Sequence, residues 1–239
     1  MRGLFIIAIF CVFGARAQNI LEGKSGTSQL VAAAHPGFSF LLPEMAGSLE
    51  FGIIEGEKSK WLKDFAGTKV TADRRSVKYM LRGETSGELV IKAVSLQATD
   101  GLIIQITARN FPAGTRLFWA YGGASGKTES KPALLPEYCK YNVFSVEGTA
   151  FTAYYGESMK LKVIQGVMPS ASLIRLSDAF RQDTPLAFFE SGKKTDAPAL
   201  AAVLPLENEQ YFCIYRQNAA ADYNYYMLPE VFAEADKKP

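Results

Sequence analysis

Histidine is nearly absent: His35, followed by Pro36, is the only one in 239 residues. Zinc sites draw on several His and Cys ligands, so no metal centre is expected. A Ser-His-Asp relay could use only His35, and no G-x-S-x-G elbow accompanies it. Cysteine is scarce as well. Cys11 lies in the leader, which leaves Cys139 and Cys213. These read either as a disulfide formed in an oxidising compartment or as two buried thiols acting as small hydrophobes. Surplus charge is missing too. The formal net charge is +2, and Arg2 and Arg16 both fall in the leader, so the mature chain is balanced. A nucleic-acid surface needs excess positive charge to neutralise phosphates, and attraction to anionic membrane needs a polybasic patch; neither partner is expected. No apolar run beyond the leader is long enough to span a bilayer, and neither a fixed-period repeat nor an internal linker divides the chain.

The leader itself is well formed. Arg2 supplies a short positive region, and Leu4–Phe13 an apolar one of ten residues, too short for a membrane span. Ala15-Arg16-Ala17 is a small-residue cleavage site, which places the mature start at Gln18. Ala8-Ile9-Phe10 lacks the small residue that a lipoprotein leader sets before its Cys, so a periplasmic or secreted soluble protein is expected. Residues 1–17 are read as the signal peptide, 18–228 as a β-sandwich domain and 229–239 as the start of a linker helix.

At 48% hydrophobic and 12% aromatic, the chain is globular rather than disordered. Its pattern is β almost throughout. Strands are expected at Phe38–Leu42 and Ser48–Ile54, with Met45-Ala46-Gly47 turning between them, and at Lys69–Leu81 after a helical or irregular link at Trp61–Phe65. The plainest hairpin joins Glu88–Leu96 to Leu102–Arg109 through Asp100-Gly101, a strong turn signal. Leu102, Ile104, Ile106 and Ala108 alternate onto one face, the period-two signature of a half-buried strand. Arg116–Tyr121, Tyr141–Val146, Thr149–Tyr155, Lys160–Ile164, Leu186–Glu190, Ala199–Leu204 and Gln210–Tyr215 complete the strand set, and Ser172–Arg181 reads as a strand followed by a short turn of helix. Pro229–Lys238 alone reads as a helix, with Pro in its first turn, Glu230 early and lysines late. The fold class is therefore all-β, a large antiparallel β-sandwich with a short C-terminal helix.

The densest stretch runs from Leu117 to Asn142. Its Gly122–Thr128 segment superficially suggests a phosphate loop, but the Walker spacing needs a Gly where Tyr121 stands, and Glu129-Ser130-Lys131-Pro132 is a poor helix start. The carboxylates Asp178, Asp183, Glu190 and Asp196 are candidates for a glycosidase pair, though Asp178 and Asp183 occupy turn settings where Asp bonds its own backbone. Trp61, Trp119, Tyr121, Tyr154, Tyr155, Tyr223, Tyr225 and Tyr226 could stack on sugar rings or fill a core. Trp119 and Tyr121 share a strand face with Leu117, which favours burial; the segment from Asp222 to Tyr226 is the better surface patch.

Three blocks, Leu42–Ile53, Trp119–Gly126 and Pro136–Asn142, together resemble a family of large exported proteins of Gram-negative bacteria, domain of unknown function 4450. The resemblance runs from about Gly26 to the C-terminus. It implies a supersandwich of the galactose-mutarotase type, followed in the parent protein by a linker helix and a helical (α/α)6 barrel that would hold the catalytic acids. Pro229–Ala235 would begin that linker helix. The family's basic-aromatic block before Gly26 is replaced by Glu22-Gly23-Lys24-Ser25, so a first strand is expected to be missing. On this reading the chain is the non-catalytic module of a carbohydrate-active protein, without catalytic residues or cofactor of its own. Its partners would be the helical domain and a glycan, and a loop at Gly122–Lys131 would reach the rim of a sugar cleft. Trp119, Tyr121, Lys127, Tyr225 and Tyr226 are the candidate sugar contacts. A stand-alone carbohydrate-binding protein using exposed tyrosines, and a small hydrolase with its own Asp/Glu pair, are the competing readings.

Overall fold

A computed structural model of the protein describes residues 19–22, 29–42, 45–83, 87–123, 134–140, 142–155, 162–192 and 194–237. The chain opens with β1 (Asn19–Glu22), β2 (Gln29–Ala32), β3 (Gly37–Leu42), β4 (Met45–Glu55) and β5 (Lys58–Trp61). A helical turn at Leu62–Asp64 leads to β6 (Lys69–Ala72), β7 (Ser76–Arg82), β8 (Glu88–Ser95), β9 (Gly101–Arg109) and β10 (Arg116–Gly122). The short α1 (Pro136–Cys139) is followed by β11 (Val143–Glu147), β12 (Ala150–Tyr155), β13 (Lys162–Val167) and β14 (Leu173–Asp178). The chain continues with α2 (Pro185–Glu190), β15 (Pro198–Pro205), β16 (Glu209–Tyr215) and α3 (Leu228–Asp236).

Among the described residues these strands make two eight-stranded antiparallel sheets. The first runs β1-β2-β3-β4-β10-β15-β14, with β5 paired beside β3 on the far half of the long β4. The second runs β11-β12-β13-β16-β9-β8-β7-β6. Their facing sides close one core. Leu117, Trp119 and Tyr121 of β10 enter it beside Phe51 and Ile53 of β4, and opposite Ile104, Ile106, Phe151 and Phe212 of the second sheet. Tyr121 reaches over Gly47, where any side chain would strike its phenol ring. The alternate side chains of each sheet point outward and are covered by a helix. Under α2, Ile54, Phe118, Ala120, Ala199 and Ala201 form a second cluster with Phe188. Under α3, Val94, Ile103, Tyr211, Cys213 and Tyr215 form a third with Leu228 and Phe232. No helix among the described residues is long and apolar enough to cross a membrane.

The sandwich is the expected class, with local corrections. Leu186–Glu190 is helical, not a strand, because Thr184 caps it by accepting a hydrogen bond from Ala187 N at 3.1 Å and Pro185 fills its first turn. Lys69–Leu81 is two strands. Asp73 breaks it, its carboxylate accepting from Arg75 N at 2.8 Å and Ser76 N at 2.7 Å. Met45–Gly47 belongs to β4 rather than to a turn. A strand does precede Gly26: β1 pairs with β2.

Candidate functional site

The residues expected to contact sugar are not gathered in one place. Trp119 and Tyr121 are 0% exposed. Their rings lie 6.0 and 4.9 Å from Phe151 in the inter-sheet core, out of reach of any ligand. Lys127 lies outside the described residues. Tyr225 and Tyr226 form a helical turn that leads into α3, on the outside of the second sheet. Tyr226 is 85% exposed, whereas Tyr225 is half-buried and its hydroxyl is pushed up mainly by that burial. The two rings are 6.2 Å apart at 67°, so they do not make one flat platform.

The disulfide does not form. Cys139 and Cys213 are free and buried on the outer sides of opposite sheets, one in the α2 cluster and one in the α3 cluster, with the whole core between them. Cys139 accepts a hydrogen bond from Gly123 N at 3.1 Å, and burial pushes its thiol up to about 12. Of the carboxylates, Asp178 is structural: it accepts from Phe180 N at 3.0 Å and Thr195 Oγ1 at 2.8 Å. Asp183 and Asp196 are exposed. Glu190 stands at the end of α2 and faces a cleft.

That cleft, of about 630 Å³, is the concave feature that sequence reasoning missed. It lies at one end of the sandwich, where the β4–β5 hairpin, α2 and the chain after β7 and β9 converge. The hairpin turns through Gly56 at φ 62°, and Arg116 Nη2 donates to the Gly56 carbonyl at 3.0 Å. The helix is held against the hairpin by three features. Pro185 packs on Gly52, where an added Cβ would lie 2.6 Å from its ring. Leu186 N donates to Ser59 Oγ at 3.0 Å, and Trp61 Nε1 donates to the Gln182 carbonyl at 2.9 Å. Beneath them Trp61, Phe118 and Phe188 meet edge-to-face, with centroids 5.1, 5.8 and 5.9 Å apart. Ile53, Phe65, Phe111 and Leu186 supply the apolar lining. Lys60 Nζ lies 5.3 Å from the Phe65 ring centroid. Glu55, Glu57, Lys58 and Glu190 complete the polar lining, and no carboxylate of the three is in an ion pair within 4 Å among the described residues. Behind Glu190, the Arg175 guanidinium lies 3.1 Å from the Phe189 ring; burial lowers its pKa and Glu190 opposes that shift. No His/Cys/Asp/Glu group among the described residues is arranged to hold a metal.

A second polar feature is structural. Glu50 is buried on the outer side of β4, where it accepts from Lys63 Nζ at 2.9 Å and Leu134 N at 3.3 Å. It ties two separate segments to the middle of the sheet.

Two large antiparallel sheets with a helix on each outer side define a β-sandwich protein with the fold carried by certain glycoside hydrolases. The chain is similar in structure to a bacterial glucoamylase in complex with acarbose, with a TM-score of 0.56 and 11% identity over 94% of this chain and 37% of that one. It is also similar to the α-N-acetylgalactosaminidase NagBb from Bifidobacterium bifidum in complex with GalNAc, with a TM-score of 0.51 and 9% identity over 86% of this chain and 36% of that one. The chain thus spans little more than a third of either enzyme. At such low identity the likeness shows the fold alone. No curated protein matches the sequence. The chain belongs to the family described as Domain of unknown function (DUF4450), which matches residues 42–236.

Proposed function

We propose that this chain is the non-catalytic β-sandwich module of an exported, glycoside-hydrolase-like, carbohydrate-active protein. The observation that carries the reading is one of proportion. Nearly all of this chain, 94%, aligns with 37% of a glucoamylase, so it corresponds to one part of such an enzyme. The module packs on a helical (α/α)6-type domain of the same parent protein, and α3 leads towards it. Residues 1–17 export the protein and are removed after Ala17.

Turnover tests this reading. The purified exported chain, incubated with α- and β-linked oligosaccharides, should release no reducing sugar, and its intact mass should correspond to a start at Gln18. Hydrolysis lost on changing one Asp or Glu to its amide would overturn the non-catalytic assignment. The stand-alone binder draws support from the exposure of Tyr226. It requires that Tyr226→Ala abolish glycan binding.

A further inference from the structure

We infer that the cleft between the β4–β5 hairpin and α2 binds a neutral saccharide. The inference rests on the carbohydrate-active reading above and gives it a location. A cavity of about 630 Å³ falls within the range of about 300–1,000 Å³ typical of small-ligand sites. Its lining is mixed in a way that selects among ligand classes. Phe111, whose ring lies close against Gly87 and Gly83, contributes apolar surface together with Phe65. A pyranose presents a C–H face to such surface and hydroxyls around its edge.

The polar groups suit those hydroxyls. Ionised carboxylates only accept hydrogen bonds, and bonds to them are charge-assisted. Glu57 and Glu190 stand on opposite walls, one on the hairpin and one on α2, with no ion partner within 4 Å among the described residues. Ser59 and Thr184 each accept one backbone N–H, at 3.0 and 3.1 Å, and each keeps its own hydroxyl proton to give. Other ligand classes fit worse. A divalent cation would need the carboxylates grouped, and among the described residues they are not. An anion would face three carboxylates, and with Lys58 and Lys60 beside them the cleft holds only one negative charge in excess to attract a cation. A wholly apolar ligand would strip water from charged groups and return nothing.

Calorimetric titration of the whole chain with maltotriose, cellotriose, xylotriose and chitotriose tests the site, with saturation-transfer NMR as a second readout. At least one trisaccharide should bind, and Glu57→Gln/Glu190→Gln should weaken it by about tenfold or more through loss of two charge-assisted bonds. Both positions are exposed, so the fold should survive, and unchanged circular dichroism would verify this. Phe111→Ala should weaken the same sugar, whereas Tyr226→Ala should leave it alone. Binding that persists unchanged in the double variant, or that is lost with Tyr226→Ala alone, would overturn the inference while the module reading stands. Failure of every trisaccharide to bind would overturn it too; the module reading is decided by turnover.

Discussion

Gly52→Ala adds one methyl group at the point where α2 docks on the first sheet. The new Cβ would lie 2.6 Å from Cγ and 3.1 Å from Cβ of Pro185, and 3.1 Å from the Lys60 carbonyl oxygen. None of these atoms can yield cheaply. The pyrrolidine ring is fixed in the first turn of α2, and the carbonyl belongs to β5, which pairs with β4 through Gly52↔Trp61. Replacing glycine inside a strand by alanine would otherwise stabilise by about 0.5–1 kcal/mol. Forcing an extra carbon into a packed contact costs about 1–3 kcal/mol. The net expectation is a loss centred on about 1 kcal/mol, or a fall in Tm of about 2–5 °C for a domain of this size. Gly83→Ala is the matched control, because its nearest contacts would be at 3.4 Å, an ordinary distance. Urea unfolding followed by circular dichroism should give Gly52→Ala a lower midpoint at unchanged slope. A variant as stable as wild type, or more so, would refute the claim that Pro185 seats α2 on Gly52. The same displacement should weaken sugar binding, since Leu186 and Glu190 move with the helix.

Glu50→Gln keeps an acceptor for Leu134 N but removes the charge that faces Lys63. The Lys63 side chain is 29% exposed and its ammonium can turn to water, so the expected loss is about 1–2 kcal/mol in urea unfolding. The thiols should be silent to a disulfide reagent at pH 8 in the native protein and react fully once it is unfolded, because burial holds Cys139 near 12 and raises Cys213 further. Stability should fall as pH rises above about 9. Burial raises the Cys139 thiol from 9.0 and the Tyr215 hydroxyl from 10.0, each to about 12, and raises Tyr79 as well. The protonated forms favour folding; their contribution is whole below the unfolded values and is lost between about pH 9 and 12. A urea midpoint independent of pH over that window would contradict the burial of these groups. Trp119→Phe should cost less than the about 3–5 kcal/mol expected of Trp119→Ala, because the buried Nε1–H has no hydrogen-bond partner among the described residues to lose.

What was legible in the sequence was whatever depends on near neighbours. The Asp100-Gly101 turn and the alternation of Leu102, Ile104, Ile106 and Ala108 gave the β8–β9 hairpin and its buried face, and the pairing Ser95↔Leu102 bears this out. Leu117, Trp119 and Tyr121 were legible as one face for the same reason. The apolar run Leu186–Phe189 invited a strand, although Thr184-Pro185 just before it already carried the helix signal. The cleft was not legible because its walls are far apart in the chain: Leu186 bonds to Ser59 across 127 positions. The two cysteines posed the same difficulty. Cys213 lies on the outer face of β16 and Cys139 at the end of α1 under α2, and only sheet order reveals that these two places are on opposite sides of the sandwich.

Strand β10 explains why the most conspicuous stretch of sequence is not where a ligand would bind. It pairs with β4 on one side and β15 on the other, and both of its faces are covered. Leu117, Trp119 and Tyr121 fill the inter-sheet core while Phe118 and Ala120 fill the space under α2. A strand buried on both faces has no polar face to show, and so it concentrates aromatics as a binding site would. Two observations separate the cases: fractional exposure, and whether nearby polar groups remain unpaired. Trp119 and Tyr121 have no exposure at all. The β4–β5 hairpin looks unremarkable in sequence, yet it sets carboxylates that have no ion pair among the described residues beside apolar surface at the end of the sandwich. Burial of the aromatics makes the scaffold rigid, and that rigidity lets a short hairpin and a six-residue helix hold opposing walls at a fixed separation.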